Sequence, residues 1–591
     1  MRIAVIIKDR CHPDKCHEVC IKFCPRVRAG FVDTIKEGPD GKPVISEDLC
    51  IACGICINKC PFDAIKILGL PEELEGGMVH RYGQNGFRLF NLPLPRRGKI
   101  VGLLGQNGLG KSTALNILGG QIIPNLGEYG NGGNWDEVIE RFEGSETGEY
   151  FKDLSSGRLT HSLKPQYVDL IPKAYRGTIG NALLKNGSED RVERFMGGLD
   201  ISSIKNKGFN EISGGELQRV AIAASLIKEA DVYLLDEPSS YLDIYQRLRV
   251  ANVIREVSRE KSVLIVEHDL AILDYLADDV HLTYGDEGAY GVVTPVYRVR
   301  NAINIYLRGY LPSENIRFRD VEITFEKHPP RKMVERSSFV SFGRLLKRYG
   351  GFELMIDGGE LYGGEVVGVV GPNAIGKTTF IGMLAGIIEP TDGEIVSRIR
   401  VSYKPQYLRA SYHGEVRDFF SETCPDLLSP YNGAAIIEPL GLKGLLSKNL
   451  STLSGGELQR AAIALCLGRD ADLYLIDEPS AYLDSAQRMG ASKVIKRVVE
   501  NRGRCAYVVD HDIYFIDMLA DELMVFEGIP GKTGRAIGPL GMREGMNRFF
   551  GSLGVSFRRD EETNRPRVNK PESKLDREQK GRGEYYYTDE D

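Results

Sequence analysis

Five short motifs occur twice in this chain, in one order and at nearly one spacing. The first copy runs G-Q-N-G-L-G-K-S from Gly105 to Ser112, K-P-Q-Y containing Gln166, I-S-G-G-E-L-Q-R from Ile212, L-L-D-E-P containing Asp236 and Glu237, and then His268. The second runs G-P-N-A-I-G-K-T from Gly371 to Thr378, K-P-Q-Y containing Gln406, L-S-G-G-E-L-Q-R from Leu453, L-I-D-E-P containing Asp477 and Glu478, and then His511. From the S-G-G-E serine to the aspartate is 23 residues in both copies, and from glutamine to serine 47 and 48. Agreement of that kind marks one domain carried twice. The exception is the stretch from loop lysine to glutamine, 55 residues in the first copy and 29 in the second, which places an insertion near 131–155 in copy one.

A chain of 591 residues exceeds what a single core supports. Five regions follow: a cysteine-rich head over 1–75, the first repeat over 76–292, a connector over 293–340 with Pro295, Pro312, Pro329 and Pro330, the second repeat over 341–530, and a tail over 531–591. The runs I-V-G-L-L-G from Ile100 and E-V-V-G-V-V-G from Glu365 read as buried strands entering a glycine turn and a helix. V-Y-L-L-D and L-Y-L-I-D read as buried strands ending on a carboxylate. The alternation predicts an α/β fold of two tandem P-loop nucleotide-binding domains, with a small α+β domain for the head. In the insertion, W-D-E-V-I-E-R-F and E-Y-F-K-D-L suit two short helices. No apolar run approaches the ~18–20 residues that cross a bilayer, and Ile3–Ile7 is too short for the core of a signal peptide. The expectation is a soluble, cytoplasmic protein without a membrane partner. Beyond Pro571 the sequence is charged, a weak candidate for order.

A glycine-rich loop suits a polyphosphate because its backbone N–H groups turn inward around the anion and the helix that follows adds its positive end. Asn107, Gly108, Gly110, Lys111, Ser112 and Thr113 in copy one, and Asn373, Gly376, Lys377, Thr378 and Thr379 in copy two, are the expected cradles for two ATP molecules. Lys111 and Lys377 reach the β and γ phosphates, and Ser112 and Thr378, with Gln166 and Gln406, are candidate Mg²⁺ ligands whose shell Asp236 and Asp477 complete. Glu237 and Glu478 stand beside those aspartates, placed to polarise an attacking water. Upstream, Tyr82 and Tyr349 precede their loop lysines by 29 and 28 residues, which suits platforms under an adenine ring. Phe87 and Phe352 serve either as platform or as core, which spacing does not decide.

Eight of the eleven cysteines fall within 11–60. Cys50, Cys53, Cys56 and Cys60, followed by proline, have the C-x₂-C-x₂-C-x₃-C-P spacing of bacterial ferredoxins, whose thiolates hold a 4Fe-4S cluster. Cys11, Cys16, Cys20 and Cys24 form a stretched run that keeps the final proline. In two-cluster ferredoxins the fourth cysteine crosses to the other cluster. The expectation is therefore two 4Fe-4S clusters, one on Cys24, Cys50, Cys53 and Cys56 and one on Cys11, Cys16, Cys20 and Cys60. Four-cysteine zinc sites pair two short knuckles, a poorer match. His12 and His17 are not expected as ligands.

The S-G-G-E motif resembles that of the ABC ATPases, in which it begins a helix that closes over the γ-phosphate of the opposite cassette. By that resemblance one site combines Lys111, Gln166, Asp236, Glu237 and His268 with Ser454, Gly455, Gly456 and Glu457, and the other combines Lys377, Gln406, Asp477, Glu478 and His511 with Ser213, Gly214, Gly215 and Glu216. His268 and His511 then match the γ-phosphate sensor. Two cassettes behind a two-cluster head resemble one family closely, the ABC ATPase of ribosome recycling in archaea and eukaryotes, or RNase L inhibitor family. The resemblance implies a monomeric ATP-driven clamp that splits ribosomes after a release or rescue factor has acted. It also implies that the clamp stays on the small subunit until hydrolysis, where initiation factors are further possible partners. The alternative is a soluble ABC engine of a transport or iron-sulfur assembly complex. Charge fits an RNA-rich partner: segments 1–30, 295–348 and 541–582 are net +4, +7 and +4 on a chain of net -6. Arg331, Lys332, Arg565 and Arg567 are the expected contacts to rRNA phosphate.

Overall fold

The computed structural model describes residues 2–70, 72–130, 132–325, 338–395, 399–406 and 412–586. Arg331 and Lys332 lie outside the described residues. Two eight-stranded sheets carry the molecule, and they repeat one strand order. The first runs Met78–Arg81, Arg88–Phe90, Tyr290–Arg298, Asp279–Asp286, Ile100–Gly105, Ser262–Val266, Val232–Asp236 and His161–Lys164. The second runs Leu345–Tyr349, Phe352–Ile356, Thr533–Gly541, Glu522–Ile529, Val366–Val370, Cys505–Val509, Leu473–Asp477 and Val401–Lys404. In chain order the final strand of the first sheet, Tyr290–Arg298, runs past the expected domain end at 292, and that of the second, Thr533–Gly541, lies wholly beyond 530.

The central strands of each sheet pair in parallel and are buried along their whole length, which is why they read as unbroken apolar runs rather than alternations. Parallel pairing puts the carboxyl ends of these strands on one edge, and there each phosphate loop, each Asp-Glu pair and each histidine emerge. The insertion folds as two helices, Trp135–Arg141 and Glu146–Ser155, capped by the side chains of Asn134 and Ser145, with Trp135 and Phe142 packed on Phe151.

The head is small: Arg2–Ile6 pairs antiparallel with Ile65–Gly69, Ile35–Glu37 with Pro43–Ile45, and short helices carry Cys16, Cys20 and Cys56, with the other five cysteines at helix ends or in loops. Its core mixes Ala4, Ile6, Ile35, Ile45 and Ile65 with five buried thiols. It docks on the first cassette. The Asn85 amide is buried between the two, accepting from the Ile45 N–H at 2.8 Å and donating to the carbonyls of Ala4 and Ile45, both at 2.9 Å. Glu47 meets Arg81 and Arg88, and Lys66 pairs with Asp286.

Among the described residues, connector and tail pack on one another and on the cassettes. The helix Val299–Arg308 packs beside the hairpin Phe557–Arg559 and Pro566–Val568, with Arg300 Nε on Asp560 at 3.0 Å and Arg308 on Glu562 at 3.0 Å. The expectation for Arg565 and Arg567 is overturned. Arg565 is wholly buried, donating to Asp274 Oδ2 (2.9 Å) and the Tyr514 hydroxyl (2.7 Å), and Arg567 Nε donates to the same Asp274 oxygen at 2.9 Å. These cations neutralise a carboxylate inside the protein and are not free for phosphate. Order also continues beyond Pro571: Ser573 caps the helix Lys574–Arg582, and buried Tyr586 stacks on Phe550.

Candidate active sites between the two cassettes

Each phosphate loop links a buried strand to a helix that begins on its lysine. Lys111 Nζ donates to the carbonyls of Gly105 (2.9 Å) and Gln106 (2.7 Å), and Lys377 Nζ to those of Gly371 (2.8 Å) and Pro372 (2.6 Å). Ser112 Oγ donates to Asp236 Oδ2 at 2.7 Å and Thr378 Oγ1 to Asp477 Oδ2 at 3.0 Å. The second oxygen of each aspartate is buried without a partner. An unmatched carboxylate oxygen beside a hydroxyl is a donor set that suits Mg²⁺. Burial raises Asp236 to about 6, with Glu237 adding, and burial also raises Asp477.

Gln166 Nε2 donates to Glu237 Oε1 and Gln406 Nε2 to Glu478 Oε1, both at 2.7 Å, and Ser240 Oγ donates to the other oxygen of Glu237 at 3.0 Å, a contact that Ala481 cannot repeat in copy two. Both glutamates sit in left-handed backbone, φ 46° and 48°, a strain that non-glycine residues bear when the surrounding structure enforces it. Lys164 and Lys404 enforce it from below, donating to the carbonyls of Asp236 (2.8 Å) and Asp477 (2.6 Å). His268 and His511 lie 3.5 and 3.7 Å from these glutamates. Burial, with Lys111 or Lys377 nearby, lowers both imidazoles well below their ordinary range, so they are neutral. The Nε2 of each is buried without a hydrogen-bond partner.

One cavity of about 2570 Å³ takes in both loops, both glutamates, both histidines and both S-G-G-E segments. Ser213 and Ser454 cap the helices Gly214–Ile227 and Gly455–Gly468, and Glu216 and Glu457 complete the capping boxes, so these two glutamates act first as caps. Tyr82 and Phe87 line the cavity, with the Tyr82 hydroxyl 3.3 Å from Thr113 Oγ1. Tyr349 and Phe352 are not among the lining residues; Phe352 packs toward Gly376 and the core.

The cassettes touch through residues that sequence reasoning missed. Asp484 Oδ1 caps its own helix while Oδ2 accepts the N–H of Asn107 (3.1 Å) in the opposite phosphate loop. Asp243 does the same for Asn373, at 2.8 Å. Tyr241 and Tyr482 meet edge to face, ring centres 6.0 Å apart. The signal was present: S-S-Y-L-D and S-A-Y-L-D follow the two D-E-P motifs at the same distance. Glu267 and Asp510 fix these turns, each accepting from the backbone and hydroxyl of Ser239 or Ser480.

In the head, none of the eight cysteines is in a disulfide. Burial first, then mutual repulsion, pushes the thiols of Cys11, Cys20 and Cys56 up to about 11, 12 and 11. The neighbours that raise Cys11 include Cys60 and Cys16; those that raise Cys20 include Cys16, Cys11 and Cys60; those that raise Cys56 are Cys50, Cys53 and Cys24. Two sets of four thiols that repel one another in a low dielectric are a fit for iron-sulfur groups, which stabilise the thiolates. Among the described residues no such group closes around one point tightly enough for a single metal ion. His12 stands edge-on to Phe62.

Comparison with known proteins agrees with this anatomy. The ABC transporter family profile matches residues 91–240 and 358–481, a profile described as a possible Fer4-like domain in RNase L inhibitor matches 1–30, and a 4Fe-4S binding domain matches 43–66. The chain is 49% identical, over its whole length and 98% of the relative's, to an uncharacterized ABC transporter ATP-binding protein of Methanocaldococcus jannaschii. It is 44% identical to translation initiation factor RLI1 of Saccharomyces cerevisiae, again over its whole length and 98% of that protein. Among solved structures, an archaeal ABCE1 bound with Pelota to the ribosome superposes with a TM-score of 0.94 at 50% identity, covering 100% of this chain and 99% of that one. The archaeal ribosome recycling factor aABCE1 in complex with the ribosomal stalk protein aP1 gives 0.83 at 51%, covering 88% and 100%.

Proposed function

This chain belongs to the ABC E family, which includes the RNase L inhibitor proteins, and on that premise we propose that it separates ribosomal subunits by ATP-driven closure of its two cassettes. It is an ATP hydrolase; the finer reading is that closure swings the iron-sulfur head against the ribosome and that the protein stays with the small subunit until hydrolysis. One observation carries it: each phosphate loop already reaches across to the opposite cassette through Asp484 or Asp243, so filling one site with ATP acts on both halves at once. The similarity of the whole chain to a ribosome-bound protein supports the choice of partner.

Within each site, Glu237 or Glu478 accepts the proton of the water that attacks the γ-phosphate, giving ADP and phosphate. Neutral His268 or His511 donates a ring N–H to the γ-phosphate without adding charge. The serine or threonine hydroxyl and the free aspartate oxygen would hold Mg²⁺, which neutralises phosphate charge when bound. Cys24, Cys50, Cys53 and Cys56, and Cys11, Cys16, Cys20 and Cys60, would hold two 4Fe-4S clusters that cross-link the small core of the head into a stiff arm.

Co-sedimentation with purified small ribosomal subunits tests the reading. With a non-hydrolysable ATP analogue the protein should pellet with the subunits, with ATP it should be released as turnover proceeds, and the double change Glu237→Gln and Glu478→Gln should remain bound in ATP. Failure to pellet under any nucleotide refutes it.

A further inference from the structure

The two ATP sites repeat each other in chemistry but not at the rim. In both copies a loop folds over the phosphate loop, the Gly288 N–H donating to the Gly108 carbonyl (3.1 Å) and the Gly531 N–H to that of Ala374 (2.9 Å). The residue before that glycine is Glu287 in copy one and Pro530 in copy two. Glu287 lies so close to its phosphate loop that a Cβ at Gly108 would come within 2.6 Å of its Cγ. Copy two, with proline at the rim, has Ala374 in the matching position, in left-handed backbone at φ 56°. Glycine at 108 therefore serves more than its own φ of 73°: it makes room for Glu287.

Across the cavity, on the S-G-G-E helix of the second cassette, stands Arg460. Its counterpart in copy one, Arg219, has a carboxylate of its own cassette beside it, Asp200 Oδ2 at 3.8 Å. The position matching Asp200 is Gly441, which has no carboxylate; Arg460 Nη1 donates to the carbonyls of Leu440 (2.9 Å) and Gly441 (3.4 Å), as Arg219 Nη1 does to those of Leu199 (3.0 Å) and Asp200 (2.9 Å). Glu457, on its own helix, is shared with Lys448 at 2.8 Å. The remaining carboxylates that act on Arg460 are Glu287, which lines the same cavity from the first cassette, and Asp484 of its own cassette, set against the repulsion of Arg10 in the head. The head in turn holds the loop that carries Glu287: Lys66 Nζ donates to the Glu287 carbonyl at 2.9 Å and pairs with Asp286, and Ile7 lies under Gly288.

We propose that Glu287 is a positioning residue that draws the opposite S-G-G-E helix inward through Arg460, so that closure of the Lys111–Ser454 site, and not of its twin, depends on how the iron-sulfur head holds the loop 286–288. The proposal rests on the reading of two composite sites. Attraction between opposite charges grows as their separation shrinks, so Glu287 favours the closed over the open cleft, whereas Pro530 brings no charge to the other site.

Glu478→Gln leaves the Lys111–Ser454 site as the hydrolysing one, and Glu237→Gln leaves the other. The full chain with its clusters is assayed for the KM of ATP in each background. With Glu478→Gln, Glu287→Asp should stay within about twofold of its parent, Glu287→Gln should raise KM about threefold and Glu287→Arg about tenfold, an order set by charge rather than size. The differences should shrink as salt approaches about 0.5 M, because a partly wet pair is screened. Adding Lys66→Ala, which frees the loop, should cut the Glu287→Arg effect to under about threefold. With Glu237→Gln, the three variants should keep the parent's KM. Equal KM for all three at the Lys111–Ser454 site, equal shifts in both backgrounds, or shifts indifferent to salt overturn the proposal. The underlying reading fails separately, if Glu237→Gln and Glu478→Gln together leave turnover intact.

Discussion

Arg565 shares its guanidinium between the carboxylate of Asp274 in the first cassette and the phenol of Tyr514 in the second. Breaking a buried ion pair from one side leaves an uncompensated charge, so Arg565→Leu should cost about 3 kcal/mol, the low end of the usual range because Arg567 still faces Asp274. A denaturant midpoint unchanged in Arg565→Leu would contradict this. Counting charge along a segment of net +4 could not reveal that role, since the count weighs a solvated arginine and a buried one alike. Glu237 and Glu478, the proposed bases, stand out in the sequence because their neighbours are diagnostic, whereas Asp243 and Asp484 do not, because an aspartate that caps a helix looks the same whether or not its second oxygen crosses an interface. Glu267 offers a titration. Burial, with Asp269 beside it, raises its carboxyl to about 7, against about 4.3 for an exposed glutamate. The folded state therefore holds that proton more tightly, and the stability it contributes below about pH 4.3 is lost as pH rises through about 7. Glu267→Gln cannot ionise, so its melting temperature should fall less than the wild type's between about pH 5 and pH 7.5; parallel curves would remove Glu267 from the account.

The helices behind Ser454 and Ser213 show what a motif fixes at the scale of an element. Serine accepts the N–H of the third helical residue while that glutamate reaches back to the serine, so S-x-x-E is a start signal before it is a nucleotide contact. The sequence suggests a nucleotide contact at this motif, and the structure adds that its serine and glutamate hold the start of the helix. The turn after each D-E-P motif was equally repeated, yet its tyrosine and aspartate match no ligand pattern, so only the fold could show that they form the seam. Asp484→Ala removes a cap worth about 1 kcal/mol from the helix Ser485–Arg502 and also frees the Asn107 N–H. The KM of ATP should rise several-fold at the Lys111 loop, read in the Glu478→Gln background where that site alone turns over, and remain unchanged at the Lys377 loop, read in the Glu237→Gln background. Equal rises at both loops would show that the seam acts as a whole and not residue by residue.

At the scale of the molecule, the repeat made two like α/β domains legible, because each motif is tied to a strand end and both copies carry the motifs in one order; the order of strands within each sheet was not legible. The braid of connector and tail was not legible: Arg300 and Asp560 meet across 260 residues of chain, and no local pattern announces a partner so distant. The head lies between these cases. Ferredoxin spacing supplied the expectation that Cys24 and Cys60 exchange partners, and the neighbours that raise Cys56 and Cys11 are compatible with that exchange. A serine in place of a thiolate weakens or removes one ligand, so the crossing can be read from which cluster signal each variant loses. Cys24→Ser should disturb the same electron paramagnetic signal as Cys53→Ser, and Cys60→Ser the same signal as Cys16→Ser, each variant retaining about half of the iron if one cluster survives. All four should keep basal ATP hydrolysis, since the residues that line the two sites are Tyr82 and beyond. If instead Cys24→Ser disturbs the signal lost with Cys16→Ser, each run of four cysteines serves its own cluster, and the head is two separate modules rather than one fold cross-linked through its middle.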